Sequence, residues 1–422
     1  MKTIIQPVKG TRDFYPEDMA VRTWLYQKIR EVSQSFGYQE WEAPILERID
    51  LYAAKSGEEL AKEQAFVFND RGGDFIALRP ELTPSLARMV AQRQNELVYP
   101  MRWWAFGPFW RYERPQKGRT REFFQWNIDL IGANSMVVDA EIVAVAASFL
   151  NKVGLSPTQV KIRVNDRRLM DASLNKLGIP ADKKTGVFRL IDRQDKMPLA
   201  DWKNYCIELG MTPEQVAELE ALLDNRDLWQ ESVELKRLFA ILDVMGLGEY
   251  IQYDARVIRG LDYYTGTVFE AHLISGEGRA ILGGGHYDNL VSAVGGDPLA
   301  AVGFAMGDVM VTYCLKSLGL LPELAKTPAS ILITVFEDSF LENAYALGSA
   351  IRQEGLNVIC YPEAVKLPKQ LKYADRIGAR FVVIEGPDEL AQGMVTIKDL
   401  QNRIQETIKK TDVPARLRNL LA

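Results

Sequence analysis

Several absences narrow this chain before any motif is read. Of its 422 residues only three are cysteine and two are histidine. Cys206, Cys314 and Cys360 are scattered with no CxxC pair, and His272 and His286 stand apart. Neither a disulfide framework nor a zinc site is expected from them. Buried thiols in a reducing cytoplasm are the expectation. No apolar run reaches the roughly 18 residues that a membrane span needs, so no membrane partner is expected. The opening Met-Lys-Thr-Ile-Ile-Gln-Pro carries no apolar stretch before a cleavage site, and no secretion signal is read there. Repeats and low-complexity tracts are missing too. So is a positive balance: the formal charge is −5. That does not favour a nucleic-acid partner, yet it leaves one open, because phosphate contacts need only a local patch.

The length implies two or three domains. Pro16 to Phe36 reads as a helix: Pro16 suits the first helical position, Val21, Leu25, Ile29, Val32 and Phe36 recur at spacings of three and four, and Gly37 closes it. A short extended run, Tyr38 to Ala43, follows. From Met101 to Gly132 aromatic residues crowd two segments of high β propensity, which predicts two antiparallel strands around a long polar loop. Residues 165–248 are charge-rich and helix-like, as in Thr212 to Leu223 and Trp229 to Leu242, and read as an inserted helical subdomain. Pro322, Lys326, Thr327 and Pro328 form a linker. Beyond it, strands Ile331 to Phe336, Asn357 to Tyr361, Arg380 to Ile384 and Met394 to Ile397 alternate with helices. This rhythm predicts a small α/β domain with a largely parallel sheet.

Chemistry concentrates in a few places. Arg259-Gly-Leu-Asp-Tyr263-Tyr264-Thr-Gly266 sets an arginine fork and two tyrosines between glycines, a mix suited to a small polar ligand beside an anion. Arg111, Arg114, Lys117, Arg119 and Arg121 fall within eleven residues, opposed only by Glu113. A solvated hairpin tip is the plain reading; the flanking aromatic strands favour a polyphosphate site at a cleft mouth, where low dielectric strengthens arginine–phosphate contacts. Gln125 and Asp129 share one face of a strand with Phe123. They would hold an amino group or cationic ring, unless Asp129 pairs with a nearby arginine. Glu81 and Thr83 sit in a kink stiffened by Pro80 and Pro84 and would fix an ammonium group, though Thr83 as a helix N-cap is the simpler expectation. Gly283-Gly-Gly-His286-Tyr287 is a flexible segment, a bulge or strand end, that admits close approach to a ligand.

These residues resemble a known family. Arg111-Tyr-Glu113-Arg-Pro-Gln-Lys-Gly-Arg119-Thr-Arg121-Glu-Phe-Phe-Gln125 is similar to motif 2 of class II aminoacyl-tRNA synthetases in its histidine-specific form. Arg259 to Tyr264 and Leu282 to Val291 resemble the two histidyl signatures. Gly10 to Pro16 and the helix to Pro44 resemble the opening and the motif 1 dimer element, and Lys369 to Lys398 the anticodon-binding domain. The resemblance spans nearly the whole chain. It implies an α+β core at 1–325, an antiparallel sheet flanked by helices with the insertion inside it, and a C-terminal α/β anticodon-binding domain at 329–422. It also implies ATP-dependent histidine activation and transfer to tRNA(His), with magnesium on the ATP phosphates, in a cytoplasmic homodimer. Carried over by position, Arg111 and Arg259 hold the α-phosphate, Glu113 faces adenine, and Arg119 and Arg121 take the far phosphates. Glu81, Thr83 and Gln125 receive the histidine amino group. Asp129, Tyr263, Tyr264 and Tyr287 read the imidazole, with Arg259 adjoining both substrates.

One departure stands out. The family's third motif ends in an arginine that holds the terminal phosphates; here the matching run, Gly303 to Met310, places methionine at that position. Either another cation, Arg119 or Arg121, takes its task, or ATP activation is impaired. The second case describes a histidine-binding paralogue, the regulatory subunit of ATP phosphoribosyltransferase. That paralogue usually lacks the anticodon domain and the signature residues present here. A pure RNA-binding module would not need Glu81, Thr83, Gln125 and Asp129 together.

Overall fold

A computed structural model describes residues 4–53, 64–115, 118–259, 263–324 and 327–421. Of the residues named above, Gln116, Lys117, Gly260, Leu261, Asp262, Lys326 and residues 1–3 lie outside these. The chain forms two compact units. One runs to Phe14 and from Val21 to Pro322; the other holds Tyr15–Ala20 and Glu323–Ala422.

An eight-stranded sheet organises the first unit. Its strands lie in the order Gln39–Glu40, Met101–Trp110, Glu122–Ile131, Ala301–Gly307, Leu282–Tyr287, Thr267–Leu273, Val160–Asp166 and Ile251–Tyr253. Only the outermost pair at each end is parallel; the rest are antiparallel. The two aromatic segments pair as the sequence implies, from Met101 opposite Ile131 to Trp110 opposite Glu122. Behind the sheet lies the helix Met136–Lys152, capped by the Ser135 side chain and apolar on nearly every face. Such a helix has to be interior. Its Phe149 meets Trp126 with ring centroids 5.2 Å apart, and Phe304 meets Trp126 at 4.8 Å. Asp139, buried on that helix, accepts from Thr267 Oγ1 at 2.6 Å and contacts His286 Nδ1 at 2.8 Å. These bonds tie the helix to the two strands that carry the signatures. Between Arg167 and Val244 the described chain is helical, and Val233–Val244 packs on Met136–Lys152. A separate three-stranded sheet joins Leu46–Arg48, Phe75–Leu78 and Phe66–Asn69.

The second unit has five strands, in the order Val358–Cys360, Ile331–Ile333, Phe381–Ile384, Met394–Asp399 and Ile404–Lys409. The first three are parallel and the last two antiparallel, so the sheet is mixed rather than largely parallel. Met394–Asp399 runs antiparallel to Phe381–Ile384, and the edge strand Ile404–Lys409 adds a second antiparallel pair. This edge strand is mostly exposed and polar, gives no apolar alternation to read, and pairs back on its neighbour as a hairpin.

Candidate active site

The open face of the eight-stranded sheet bounds a cavity of about 1140 Å³ in the first unit. All the site residues read from sequence line it except Arg121. Arg121 turns away: its guanidinium lies 4.1 Å from the Tyr112 ring centroid, and its Nε and Nη1 donate to the carbonyls of Glu113 and Lys9. It fastens the hairpin to the N-terminal segment instead of facing the cavity.

The cationic end comes from the hairpin. Its backbone closes where Arg111 N–H donates to the Arg121 carbonyl at 2.9 Å. The Arg111 side chain is aimed by an Nε bond to the Pro80 carbonyl, 2.9 Å, and sits 5.5 Å from the Phe123 ring centroid. Arg119 pairs with Glu113. Burial lowers the Arg119 pKa; Glu113 opposes the shift, whereas Arg279 and Arg111 add to it by like-charge repulsion. An anion entering here would relieve that repulsion.

The buried part of the lining carries carboxyls. Alternation along Glu122–Ile131 turns Phe123, Gln125, Asn127 and Asp129 toward the cavity. Asp129 is 5% exposed and, among the described residues, pairs with no arginine; its Oδ1 accepts from the Tyr287 hydroxyl at 2.8 Å. Burial pushes its carboxyl up to about 7, against the pull of that hydroxyl. Glu81, 7% exposed, is pushed up to about 7 by burial, against Arg111. Thr83 opens the helix Thr83–Arg93 but caps nothing; Leu82 holds the cap position, and Thr83 lines the cavity. The expected N-cap role fails because Pro84 fills the first turn, so fewer backbone N–H groups need a partner. Rings surround the carboxyls: Tyr263 lies 4.7 Å from Tyr264 and 5.9 Å from Tyr287.

Arg259 lines the same cavity. Its φ of +62° is in the left-handed region, unusual for a residue with a side chain. The strain is held by Arg167, on the first helix after Val160–Asp166. Arg167 donates to the carbonyls of Tyr264, 2.7 Å, and Arg259, 3.5 Å. The Arg259 guanidinium pairs with Glu270. Burial alone would raise Glu270, but Arg259 and His272 hold it down at about 2.

Glycines make room for these charges. A Cβ on Gly283 would stand 2.4 Å from the Arg259 Nη1, and one on Gly303 2.1 Å from the Asp129 Oδ1. The triple glycine is therefore neither a bulge nor a strand end. It lies within the buried strand Leu282–Tyr287, where neighbours occupy the side-chain space. Sequence reading missed Glu270, Asn127 and Arg279. Asn127 was accessible from the alternation that exposed Gln125 and Asp129. Glu270 becomes visible only once its strand is aligned with Leu282–Tyr287, which sets it opposite Gly283. Among the described residues no three His, Cys, Asp or Glu side chains gather as a metal cage.

The sequence profile described as histidyl-tRNA synthetase matches residues 10–309, and that of an anticodon-binding domain matches 329–420. The chain is 39% identical to the chloroplastic/mitochondrial histidine–tRNA ligase of Arabidopsis thaliana, over 98% of this chain and 86% of that relative. It is 36% identical to the histidine–tRNA ligase of Halobacterium salinarum, over 95% of each. A crystal structure of histidyl-tRNA synthetase from Nostoc sp. PCC 7120 superposes with a TM-score of 0.84 at 26% identity, over 99% of this chain and 100% of that one. An ATP phosphoribosyltransferase regulatory subunit/histidyl-tRNA synthetase from Bacillus halodurans superposes at 0.76 over 91% and 99%; at 21% identity that likeness is one of fold alone.

Proposed function

The chain belongs to the histidyl-tRNA synthetase family, and from that premise we propose that its cavity joins histidine to ATP and passes the histidyl group to tRNA(His). The protein is an ATP-dependent histidine–tRNA ligase. One observation carries the assignment of parts: partly exposed cations, Arg259 and two buried carboxyls raised by burial line a single cavity.

In the first step the histidine carboxylate attacks the α-phosphorus of ATP, and the bond to pyrophosphate breaks. The carboxylate is already nucleophilic, so no side-chain base is needed; alignment and charge stabilisation suffice. Arg111 and Arg259 take the α-phosphate, Arg119 the far phosphates, and Glu113 faces the adenine. A magnesium ion bound with ATP would add charge neutralisation to that supplied by Arg111, Arg119 and Arg259. Glu81, Thr83 and Gln125 receive the histidine ammonium. Asp129 and Tyr287, with Tyr263 and Tyr264 around them, take the imidazole N–H. A wrong side chain would leave Asp129 buried without its partner, and this penalty supplies selectivity. In the second step a terminal ribose hydroxyl of tRNA attacks the carbonyl and AMP leaves.

The unit from Glu323 onward would contact the anticodon region. It has no basic excess, with 13 Lys or Arg against 13 Asp or Glu, and Lys410, Arg416 and Arg418 pair with Glu385, Glu406 and Glu354, so any phosphate contact there would be local. We also infer a homodimer of the cytoplasm. Phe68 and Phe75, exposed on the three-stranded sheet, suit a buried subunit contact. Histidine-dependent exchange of labelled pyrophosphate into ATP tests the catalytic reading. Met310 in place of the family arginine favours a second reading, the regulatory paralogue, for which intact histidine binding without exchange is the expected result.

A further inference from the structure

The structure offers a replacement for the arginine that Met310 displaces. Met310 is 6% exposed, in the first turn of the helix Asp308–Ser317, and lines the cavity. Its thioether lies across two loops: its Sδ is 3.3 Å from where a Cβ would stand on Gly118, and its Cε is 2.4 Å from that point on Gly278. The chain thus brings the hairpin loop and the 274–281 loop together over the methionine tip. The residue after Gly278 is Arg279, and it too lines the cavity.

Three arginines compete for the task. Arg121 is turned over Tyr112, outside the cavity. Arg119 faces the cavity but is paired with Glu113. Arg279 faces the cavity and, among the described residues, makes no ion pair or side-chain hydrogen bond. It is close enough to Arg119 that the two repel. Nothing in the packing requires a guanidinium there: the residue is exposed, on a loop between Thr267–Leu273 and Leu282–Tyr287. Two like charges face one space, and only Arg119 has a carboxylate ion pair, with Glu113; a polyanion would satisfy both.

We propose that Arg279 reaches across Met310 to bind the β- and γ-phosphates of ATP, in the role the family gives to an arginine at the Met310 position. The assignment rests on the synthetase reading for its substrate. Arg111 and Arg259 keep the α-phosphate, and Arg279 with Arg119 holds the departing pyrophosphate. The contact is made by ATP but not by AMP, which ends at the α-phosphate.

The test is equilibrium binding of MgATP and of AMP to the full chain and to its Arg279→Ala and Arg279→Lys variants, with histidine-dependent pyrophosphate exchange measured in parallel. Arg279→Ala is expected to weaken MgATP roughly tenfold or more, the scale of one charge-assisted hydrogen bond. AMP affinity should stay within about twofold, and Arg279→Lys should recover much of the loss, as a retained charge would. A general loosening of the loop would weaken both nucleotides alike and overturns the assignment; so does unchanged MgATP binding. The two readings fail separately. If MgATP binding depends on Arg279 but the unaltered chain exchanges no pyrophosphate, the phosphate site stands and the synthetase reading falls. If exchange is robust and indifferent to Arg279→Ala, the reading stands and the Arg279 assignment falls.

Discussion

At one end of the cavity Arg111, Arg119 and Arg279 are half-buried or exposed, with Glu113 paired to one of them. Deeper in the same lining, Glu81, beside Arg111, and Asp129 are buried, and burial lifts both carboxyls to about 7. The first end attracts charge through partly solvated guanidinium groups, which a flexible polyphosphate can satisfy in several ways. The second withholds ionisation until a donor of the right shape arrives. One arrangement favours affinity and the other selectivity, and Arg259, held by Glu270 and Arg167, lines the cavity with both.

Removing the shared element should break the comparison most completely. Arg259→Ala is expected to lower histidine-dependent pyrophosphate exchange by about a thousandfold or more, as loss of a preorganised charge at the reacting phosphorus does. Glu270→Gln, which keeps the shape but not the charge that holds Arg259, should cost roughly tenfold to a hundredfold. Equal losses in the two variants would mean that Glu270 itself meets the substrate. Gly283→Ala is expected to fall between them, because its methyl group would enter the space of the Arg259 guanidinium.

A stability measurement separates the ends next. In the unfolded chain Asp129 ionises near its ordinary value of about 4, and in the native chain near 7. Between those values the native state holds the extra proton, so stability falls as pH rises and the penalty is complete above about 7. Asp129→Asn should therefore stabilise the ligand-free protein by on the order of 2 kcal/mol at pH 8, with no gain near pH 3.5. Denaturant titration at both pH values checks this. A variant less stable at pH 8 would contradict the buried-carboxyl account. The smallest expected effect is ionic. Raising salt from about 0.05 to 0.5 M should weaken MgATP several-fold and histidine less than about twofold, because screening acts on the solvated end.

The sequence made the cationic end legible and the buried end only in part. Arg111, Glu113 and Arg119 announce themselves because five basic residues around one acid, flanked by aromatic strands, need an anion. Gln125 and Asp129 follow from strand alternation. Arg121 obeys the same local pattern yet faces away, since its direction is set by Tyr112 and the Lys9 carbonyl, a contact distant in sequence. Fully buried Arg79, which pairs with Glu42 and donates to the Ala43 and Pro108 carbonyls, was invisible for the same reason. In-strand glycines offered an unread signal. Gly107, Gly283 and Gly303 each leave space for a charged side chain of a neighbouring segment, Arg79, Arg259 and Asp129 respectively. Long elements with strong periodicity, such as the helix from Pro16 and the two aromatic strands, were recoverable. Polar edge strands such as Ile404–Lys409 were not, because pairing rather than pattern defines them.

The separation of the two ends is tested most directly by titrating histidine and MgATP, each alone, into the Asp129→Asn variant. Histidine affinity should fall tenfold or more beyond any change in ATP affinity, the cost of leaving a buried polar partner unmatched being about 1–3 kcal/mol. Equal loss of both ligands, or unchanged histidine binding, would contradict it.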